Sequence, residues 1–356
     1  MTELLAFNVE WLDPKSGITW PLQLTLNPCE ETVELFDTRA QRLFLKRTHM
    51  PQIKLEHLFA GASIVCLART LRVLGCADAA TQRRLDSLRE PVFILVAAHA
   101  LHFAGAVLDR AQNRADLTLV NAKLVSHLPP EDARGLSHDA LSLGADQGPC
   151  LGFELFSSSP YPGGVAEALS KALEPATFGY YVCGPAAASA VDHFFNVSST
   201  PASCLASGTS LAVVKPHLVH ARKAGLVLAA LLKEFHVTGC AVVKLDRTEA
   251  ASFLAVYDGV VPAFPQMVEE LTAGPALAIE VAPREGNVSD SVVQQLRDLA
   301  GPADPELARV LRPGSLRSLF GMDRIRNGLH VTDLESDGDV ETAAMFRMAQ
   351  PASIRV

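Results

Sequence analysis

Several features that would assign a sequence to a class at once are missing from this chain. Its seven cysteines include no C-x-x-C pair, which argues against a structural zinc site. An odd, scattered set of cysteines is typical of reduced thiols in a cytosol-like compartment. The formal net charge is −8 at pH 7, so neither nucleic acid nor an anionic membrane is expected as the main partner. The N-terminus lacks the charged-then-apolar layout of a secretion signal.

Long uncharged runs are also scarce, although residues 91–108 form one of membrane-spanning length. His99 and His102 interrupt this run, and no anchoring residues flank it. A transmembrane helix is therefore the weaker interpretation. A buried strand followed by a helix is favoured.

The chain is long enough for two or three domains, because its 356 residues exceed one ordinary core. Residues 1–88 predict a small, mostly β domain, since short alternating segments such as FNVEWL and LQLTLNP are separated by turn-rich sequence. The segment DAATQRRLDSLRE near its end is either a polar linker or a helix.

The remaining sequence contains an internal repeat. Residues 92–108 parallel residues 211–228, and both predict an apolar strand, a histidine-containing turn and a helix. Further along, each copy places a Gly-Pro pair just before a buried strand that carries Glu154 or Glu280. The first copy is the shorter one.

The repeat divides this part of the chain into two modules, residues 91–198 and residues 207–350. The second copy predicts strand–helix–strand–helix–strand order, which is typical of a ferredoxin-like α/β sandwich. A linker rich in Ser, Ala and Gly joins the two copies. The predicted fold class is therefore α+β, with a β domain followed by two such modules.

Near the C-terminus, five arginines crowd a stretch that holds one histidine, His330. Phosphoryl transfer needs cations around the migrating group and an in-line nucleophile. Neutral imidazole is well populated near pH 7 and can be that nucleophile. Composition alone, however, favours solvated basic helices and an ordinary surface histidine. The arginines are Arg297, Arg312, Arg317, Arg324 and Arg326.

Three short motifs reverse that preference. Residues 327–333 read N-G-L-H-V-T-D, residues 214–216 read V-K-P, and residues 313–317 read P-G-S-L-R. In this order and spacing they resemble the nucleoside diphosphate kinase family, whose signatures are N-x-x-H-G-[ST]-D, [IV]-K-P and P-G-[ST]-[IL]-R. The resemblance implies a ping-pong phosphotransferase in residues 207–350.

The family's roles carry over residue by residue. The resemblance implies that His330 accepts the γ-phosphate of a nucleoside triphosphate and passes it to a diphosphate. It implies that Glu341 orients the histidine through its other ring nitrogen. The nucleotide-binding residues it implies are Lys215 for phosphate or ribose, Arg297 and Arg317 for the transferring phosphoryl group, and Asn327 for the sugar hydroxyl. Mg²⁺ is implied as a bridge between the phosphates of ATP or GTP, not as a metal held by protein ligands.

Four positions depart from the family pattern, and all four weaken the expected nucleotide contacts. Leu254 stands on or near the family's tyrosine, and Ala263 on or near its base-stacking phenylalanine. Ala303 replaces a threonine that touches phosphate, and Val331 replaces the glycine after the histidine. The implied kinase activity is therefore weak.

The first copy is implied to be non-catalytic. Ala97 stands in the place of the lysine, and Cys183 stands where the nucleophilic histidine is expected. No basic residue near Cys183 is expected to lower the pKa of its thiol, so an ordinary cysteine is favoured over a reactive one.

The N-terminal segment resembles the DM-type β domain of axonemal proteins, which is pleckstrin-homology-like. The residues that carry this resemblance are Glu10-Trp11, Asp13-Pro14, Val33–Asp37 and Phe44–Thr48. Such a domain followed by two kinase modules is the layout of the seventh-homologue branch of the family. That branch is found in cilia and flagella as a microtubule inner protein of axonemal doublets, and it has been associated with gamma-tubulin complexes.

Two hypotheses follow from the resemblance. In the first, the protein is a structural element bound to α/β-tubulin and other microtubule inner proteins, with a remnant kinase site. In the second, it is a working kinase that supplies nucleoside triphosphate locally. The non-catalytic first copy and the added β domain favour the first hypothesis.

Basic spots such as Lys46 and Arg47 are expected to contact acidic tubulin. Two unequal fused copies predict an intramolecular pseudo-dimer and a monomer in solution.

Overall fold

The structure is a computed structural model. It describes residues 4–13, 16–55, 58, 62–88, 90–136, 146–157, 169, 171–173, 180–183, 188–196, 208–284 and 291–349. The chain forms two compact units, one from residues 1–89 and the other from most of residues 90–352. Among the residues so described, no helix combines the length and the apolar character needed to cross a membrane.

The N-terminal unit is one antiparallel sheet of six strands in the order β4-β3-β2-β1-β6-β5. Its inward face is set by alternation, because Leu5, Phe7 and Val9 are buried whereas Asn8 between them is exposed. The segment left open as linker or helix is helical. The elements are β1 Leu5–Leu12, β2 Thr19–Asn27, β3 Thr32–Asp37, β4 Arg42–His49, β5 Ser63–Cys66, β6 Arg69–Cys76 and α1 Ala79–Leu88. The small β domain is thus confirmed, while its pleckstrin-homology-like character stays a prediction.

The second unit begins with the first copy of the repeat. A buried strand, a 3₁₀ turn at Ala98–Phe103 and a helix occupy the uncharged run of residues 91–108, which confirms the favoured interpretation of that run. The elements are β7 Glu90–Val96, α2 Ala104–Arg114, β8 Leu117–Val125, α3 Pro130–Leu136, β9 Cys150–Ser157, β10 Tyr180–Cys183 and α4 Ala188–Asn196. Of the predicted linker, residues 196–210, positions 197–207 lie outside the described residues, while Asn196 ends α4 and Ser210 begins the next strand.

The second copy has the strand and helix order that its periodicity predicts. Ser291 caps a helix by accepting a hydrogen bond from the backbone N–H of Gln294. The elements are β11 Ser210–Val214, α5 Pro216–His220, α6 Ala224–Glu234, β12 His236–Val243, α7 Arg247–Phe253, α8 Phe264–Leu271, β13 Ala276–Ala282, α9 Val292–Ala300, α10 Pro305–Leu311, α11 Leu316–Phe320, β14 Leu329–Val331 and α12 Gly338–Met348.

The two copies share one eight-stranded sheet, in the order β10-β7-β9-β8-β12-β13-β11-β14. The strand order of one half is the mirror of the other, and the halves meet where Lys123 of β8 lies opposite Ala241 of β12. Helices α2 and α6 pack together over this junction. Gly105 permits the close approach, because a Cβ on it would lie 2.3 Å from the backbone nitrogen of Ala229. The copies therefore form an intramolecular pseudo-dimer.

The strand register corrects one prediction about the first copy. His330 on β14 lies opposite Val213 of β11, and β7 holds the place of β11 in the first copy. Opposite the matching residue of β7, Leu95, lies Tyr181 of β10. The expectation that Cys183 occupies the nucleophile's place was therefore wrong, by two residues along the same strand. The sequence could not fix this register, because β10 is short and the loop that precedes the histidine in the second copy is deleted here.

We predict that Gly105→Ala destabilises the chain by roughly 1–3 kcal/mol, since its methyl group overlaps backbone atoms that cannot move as a side chain can. The measurement is urea denaturation of the full chain followed by circular dichroism. The control is Arg114→Ala, which removes an exposed side chain from the same helix. Equal stability of Gly105→Ala and wild type would show that the helices can separate at no cost.

Candidate active site

His330 lies in the short strand β14, where it is only 8% exposed. Its Nε2 lies 3.1 Å from Oε2 of Glu341 on helix α12. The ring of Phe253 meets the imidazole edge-on, with centroids 5.0 Å apart. These contacts hold the ring in one orientation and leave Nδ1 as the nitrogen that is free to react.

A cavity of about 640 Å³ opens beside this histidine. Five of the residues that sequence analysis singled out line it: His330, Lys215, Arg297, Arg317 and Asn327. They come from four separate stretches of the chain. The pairing of β11 with β14 brings Lys215 close to Asn327 and His330, while Arg297 lies on α9 and Arg317 on α11. Glu341 stands behind the histidine, as its hydrogen bond shows. The structure therefore assembles the predicted set of side chains in one place.

Lys215 follows directly after β11 and precedes helix α5, so its side chain begins at a fixed point of the sheet. Its Nζ donates a hydrogen bond of 2.7 Å to the carbonyl oxygen of Ile325. Burial lowers the pKa of this ammonium group from 10.5 to about 8. The nearby guanidinium of Arg317 lowers it further, whereas the carboxylates of Glu270 and Asp323 raise it.

Arg317 is a second cation that lines the cavity. Its two terminal nitrogens donate to the carbonyl oxygens of Gly301, at 2.7 Å, and Leu329, at 3.1 Å. Burial lowers the pKa of the guanidinium, while the carboxylate of Asp333 opposes that shift. Its Nε has no hydrogen-bond partner among the described residues. A buried donor without a partner is costly, so this nitrogen is suited to an anionic ligand.

Two further residues of the predicted set are held by protein partners. Arg297 donates to the carbonyl oxygen of Asp333 and lies 3.7 Å from its carboxylate. The amide nitrogen of Asn327 donates to the carbonyl oxygen of Ala303 at 3.0 Å. Within the described part of the chain the amide oxygen of Asn327 has no partner. That oxygen can therefore accept a hydrogen bond from a ligand hydroxyl.

Sequence reasoning missed three residues of this site. Tyr257 donates a hydrogen bond to the carboxylate of Asp333, and burial together with that bond raises the pKa of its phenol. Phe253 packs on the histidine ring as described above. Asp333 ends the quoted N-x-x-H motif, so a signal for it was present. A tyrosine was expected on or near Leu254, and Phe253 and Tyr257 lie on either side of it. Only the path of the chain there shows that both reach the site.

The carboxylates on the cavity wall are paired with arginines. Asp304 accepts a 2.7 Å hydrogen bond from Arg324, and Asp298 accepts one of 2.5 Å from Arg312. The Arg324 bond holds the pKa of Asp304 below its usual range. No group of three His, Cys, Asp or Glu side chains that could hold a metal occurs among the described residues.

Comparison with known proteins agrees with this geometry. The family model "Nucleoside diphosphate kinase" matches residues 208–350. "Nucleoside diphosphate kinase homolog 7" of Mus musculus is 28% identical over 98% of this chain and 94% of its own length. A nucleoside diphosphate kinase of Syntrophotalea carbinolica is 30% identical over 38% of this chain and 93% of its own length. The chain belongs to the nucleoside diphosphate kinase family.

A crystal structure of the nucleoside diphosphate kinase of Aquifex aeolicus is also similar. It is 25% identical, covers 38% of this chain and 92% of its own, and has a TM-score of 0.35.

Three of the four departures from the family pattern lie at the cavity. Leu254, Ala303 and Val331 line it, while Ala263 is not among the lining residues. Leu254 and Val331 present apolar surface where the family has a phenol and a glycine. Ala303 contributes its carbonyl to Asn327 but has no hydroxyl for phosphate. The cavity wall is therefore apolar at Leu254 and Val331 and has no side-chain hydroxyl at Ala303.

The first copy has an alanine at the backbone position where the second copy has Lys215. Ala97 precedes the 3₁₀ turn of its module with φ −76° and ψ 163°, and Lys215 precedes α5 with φ −68° and ψ 154°. The backbone is thus conserved between the copies while the ammonium group is gone. The one His–carboxylate pair described in this module, His193 with Asp132 at 2.9 Å, joins α4 to α3 and not a strand to a cavity.

We predict that Lys215→Met stabilises the fold at neutral pH. Because the folded chain holds the Lys215 proton more weakly than the unfolded chain, the wild type is destabilised below about pH 8, and this loss disappears as the pH rises to 10.5. The expected gain in the free energy of unfolding is up to about 3 kcal/mol at pH 7. Urea denaturation at pH 7 and above pH 10 measures it. The control is Lys233→Met, at an exposed position. The prediction is contradicted if Lys215→Met is less stable than wild type at pH 7 while Lys233→Met is not.

Proposed function

We propose that the C-terminal module transfers phosphate between nucleotides through a phosphohistidine at His330. The observation that carries this proposal is the bond from His330 to Glu341 at one end of a cavity that also holds Lys215, Arg297 and Arg317. A buried histidine oriented by a carboxylate and facing three cations has the arrangement that phosphoryl transfer requires.

The transfer takes two steps. The lone pair on Nδ1 of His330 attacks the γ-phosphorus of a nucleoside triphosphate, the N–P bond forms, and the bond to the β-phosphate oxygen breaks as the diphosphate leaves. A terminal phosphate oxygen of a second diphosphate then attacks the same phosphorus, and the N–P bond breaks. Throughout, Glu341 accepts a hydrogen bond from Nε2–H and so favours the positive charge that develops on the ring. Arg317 and Arg297 stabilise the charge spread over the phosphoryl oxygens.

Mg²⁺ fits this site only when it arrives with the nucleotide. An arginine forms an ion pair with each carboxylate of the cavity wall, namely Asp298, Asp304 and Asp333. These carboxylates are therefore not available as metal ligands. When bound, Mg²⁺ supplies neutralisation of the β- and γ-phosphate charge. The residues of the chain bind ATP or GTP by the phosphates and the sugar, and the apolar replacements at Leu254 and Val331 make this binding weak.

We predict that the purified protein incubated with γ-labelled ATP and Mg²⁺ becomes labelled on histidine, in a bond that acid breaks and alkali does not. His330→Ala removes the label, and Glu341→Gln lowers the labelling rate by about 10-fold or more. His193→Ala is the matched control, because it removes a histidine that also contacts a carboxylate but lies in the first module. Equal labelling of His330→Ala and wild type would rule out the enzyme proposal.

We further propose that the chain acts mainly as a structural component of ciliary and flagellar doublet microtubules, a microtubule inner protein in the reducing cytoplasmic space of the axoneme. Support comes from the first module, which keeps the fold but has Ala97 in place of the lysine, and from the additional β unit. The similarity to "Nucleoside diphosphate kinase homolog 7" over 98% of the chain covers all three parts. The proposed partners are α/β-tubulin, other microtubule inner proteins and, as a second location, gamma-tubulin complexes.

The β unit offers a place for such a contact. Lys46 and Arg47 are both exposed on β4, which is an edge strand of the six-stranded sheet. Among the residues that the structure describes, the one ion pair of Arg47 is a long one, at 3.8 Å from Glu30. Surface pairs of this kind contribute little to stability, so the two cations can be exchanged without unfolding the domain.

We predict that the double change Lys46→Glu and Arg47→Glu lowers the amount of protein retained in detergent-stripped axonemes, since it places negative charge against an acidic partner. The measurement is immunoblotting of stripped axonemes from cells that express each variant in place of wild type. Lys233→Glu, exposed in the kinase unit, is the control. Unchanged retention of the double variant would rule out this contact, and loss of wild type itself on stripping would rule out the structural role.

A further inference from the structure

Two contacts join the end of α7 and the residues after it to the segment that carries the candidate nucleophile. The ring of Phe253, the last residue of α7, lies against the imidazole of His330, with centroids 5.0 Å apart. Further along, the hydroxyl of Tyr257 donates a hydrogen bond of 2.5 Å to Oδ2 of Asp333. One short stretch of chain therefore holds both the histidine and the aspartate that follows it.

Asp333 also holds an arginine. Arg297, in the last turn of α9, donates through Nη1 to the backbone carbonyl oxygen of Asp333. The same nitrogen lies 3.7 Å from Oδ1 of the Asp333 carboxylate. Tyr257, Asp333 and Arg297 thus form one connected chain of polar contacts. All three line the cavity that contains His330.

The contacts of this chain restrain groups that burial does not restrain. The side chains of Arg297 and Asp333 are 44% and 51% exposed. An exposed arginine on its own would sample several rotamers, because water solvates its guanidinium in each of them. A hydroxyl bonded to an ionised carboxylate forms one of the stronger and shorter kinds of hydrogen bond. The bond from Tyr257 therefore fixes Asp333, and Asp333 in turn selects one orientation of Arg297.

This orientation matters for phosphoryl transfer. A guanidinium stabilises the charge on the phosphoryl oxygens only if it is already aimed at them, and a displacement of about 1 Å can cost roughly 100-fold in rate. Arg317 is fixed by the backbone carbonyls of Gly301 and Leu329. For Arg297, in contrast, both acceptors found within the described part of the chain belong to Asp333.

We propose that Asp333 is a positioning residue for the phosphoryl group. Tyr257 holds its carboxylate, and its carbonyl oxygen then directs the guanidinium of Arg297 toward the phosphoryl group carried by His330. This inference rests on the proposed phosphotransfer function. The effect of Asp333 on the order of Arg297 does not depend on that function, so the two can fail separately.

The first test is a double-mutant cycle on phosphate transfer from MgATP to a nucleoside diphosphate. Tyr257→Phe removes the hydroxyl, and Asp333→Ala removes the carboxylate. Each variant is expected to lower kcat and kcat/KM together by about 10-fold with KM unchanged, because the contact that is lost acts in the transition state. The double variant is expected to be no slower than the slower single variant, since both changes break the same chain of contacts.

Two outcomes of this cycle overturn the proposal. Losses that multiply to about 100-fold in the double variant would show that the two residues act independently. A wild-type rate in either single variant would show that the bond between them does not matter for transfer. A hydroxyl of Tyr257 that acted directly on phosphate would give the second result, with Asp333→Ala as the active variant.

An NMR measurement reports on Arg297 directly. In the full chain labelled with ¹⁵N-arginine, Arg297→Lys assigns the Nε–H signal of Arg297. The order parameter of this group is expected to be about 0.85 in wild type and below about 0.6 in Tyr257→Phe and Asp333→Ala. Glu335→Gln is the control, because it removes an exposed carboxylate two residues from Asp333 and is expected to leave the order parameter unchanged. An unchanged value in Asp333→Ala overturns the proposal.

The wild-type measurement covers the case in which the variants do not fold. An order parameter below about 0.6 for Arg297 in wild type would show a mobile guanidinium and would by itself overturn the proposal. If wild type transfers no phosphate, the phosphotransfer proposal fails. The NMR comparison then still decides whether Asp333 fixes Arg297.

Discussion

The pairing of β14 with β11 is the contact on which the candidate site depends. It sets His330 opposite Val213, which lies two residues before Lys215 in the chain. Three residues of β14 and five of β11 thus bring a nucleophile and a cation to one cavity without any loop having to close. Backbone hydrogen bonds between β11 and β14 thus fix the positions of His330 and Lys215. The other side chains of the site are Glu341, Arg317 and Asn327.

Removing cationic side chains from water costs free energy, which hydrogen bonds to backbone carbonyls partly offset. Lys215 and Arg317 are both buried, and burial lowers the pKa of each. Backbone carbonyls of Ile325, Gly301 and Leu329 accept their hydrogen bonds and keep their geometry. The cavity is lined by five cationic side chains and three carboxylates, so it would attract an anionic ligand. A site of this kind trades stability for binding.

Local patterns in the sequence predicted most of the fold and the chemically active residues. Alternation located β1, helical periodicity located α6 and α8, and the spacing of short motifs located His330, Lys215 and Arg317. Contacts between distant stretches could not be found in this way. His217 and Glu270 are 53 positions apart, and Tyr257 and Asp333 are 76 apart, so no local pattern joins them. The misplaced Cys183 has a similar origin, because strand register depends on a partner strand and not on the strand's own composition.

The continuous sheet formed by two unequal copies has a consequence for symmetry. A dimer of identical subunits presents two equivalent faces related by a two-fold axis, and it falls apart on dilution. Here the partner is part of the same polypeptide, so the association is independent of concentration, and the two faces differ in sequence. The pseudo-dimer therefore has two distinguishable ends. A repeating filament with direction could therefore bind it in a single orientation, one copy at a time.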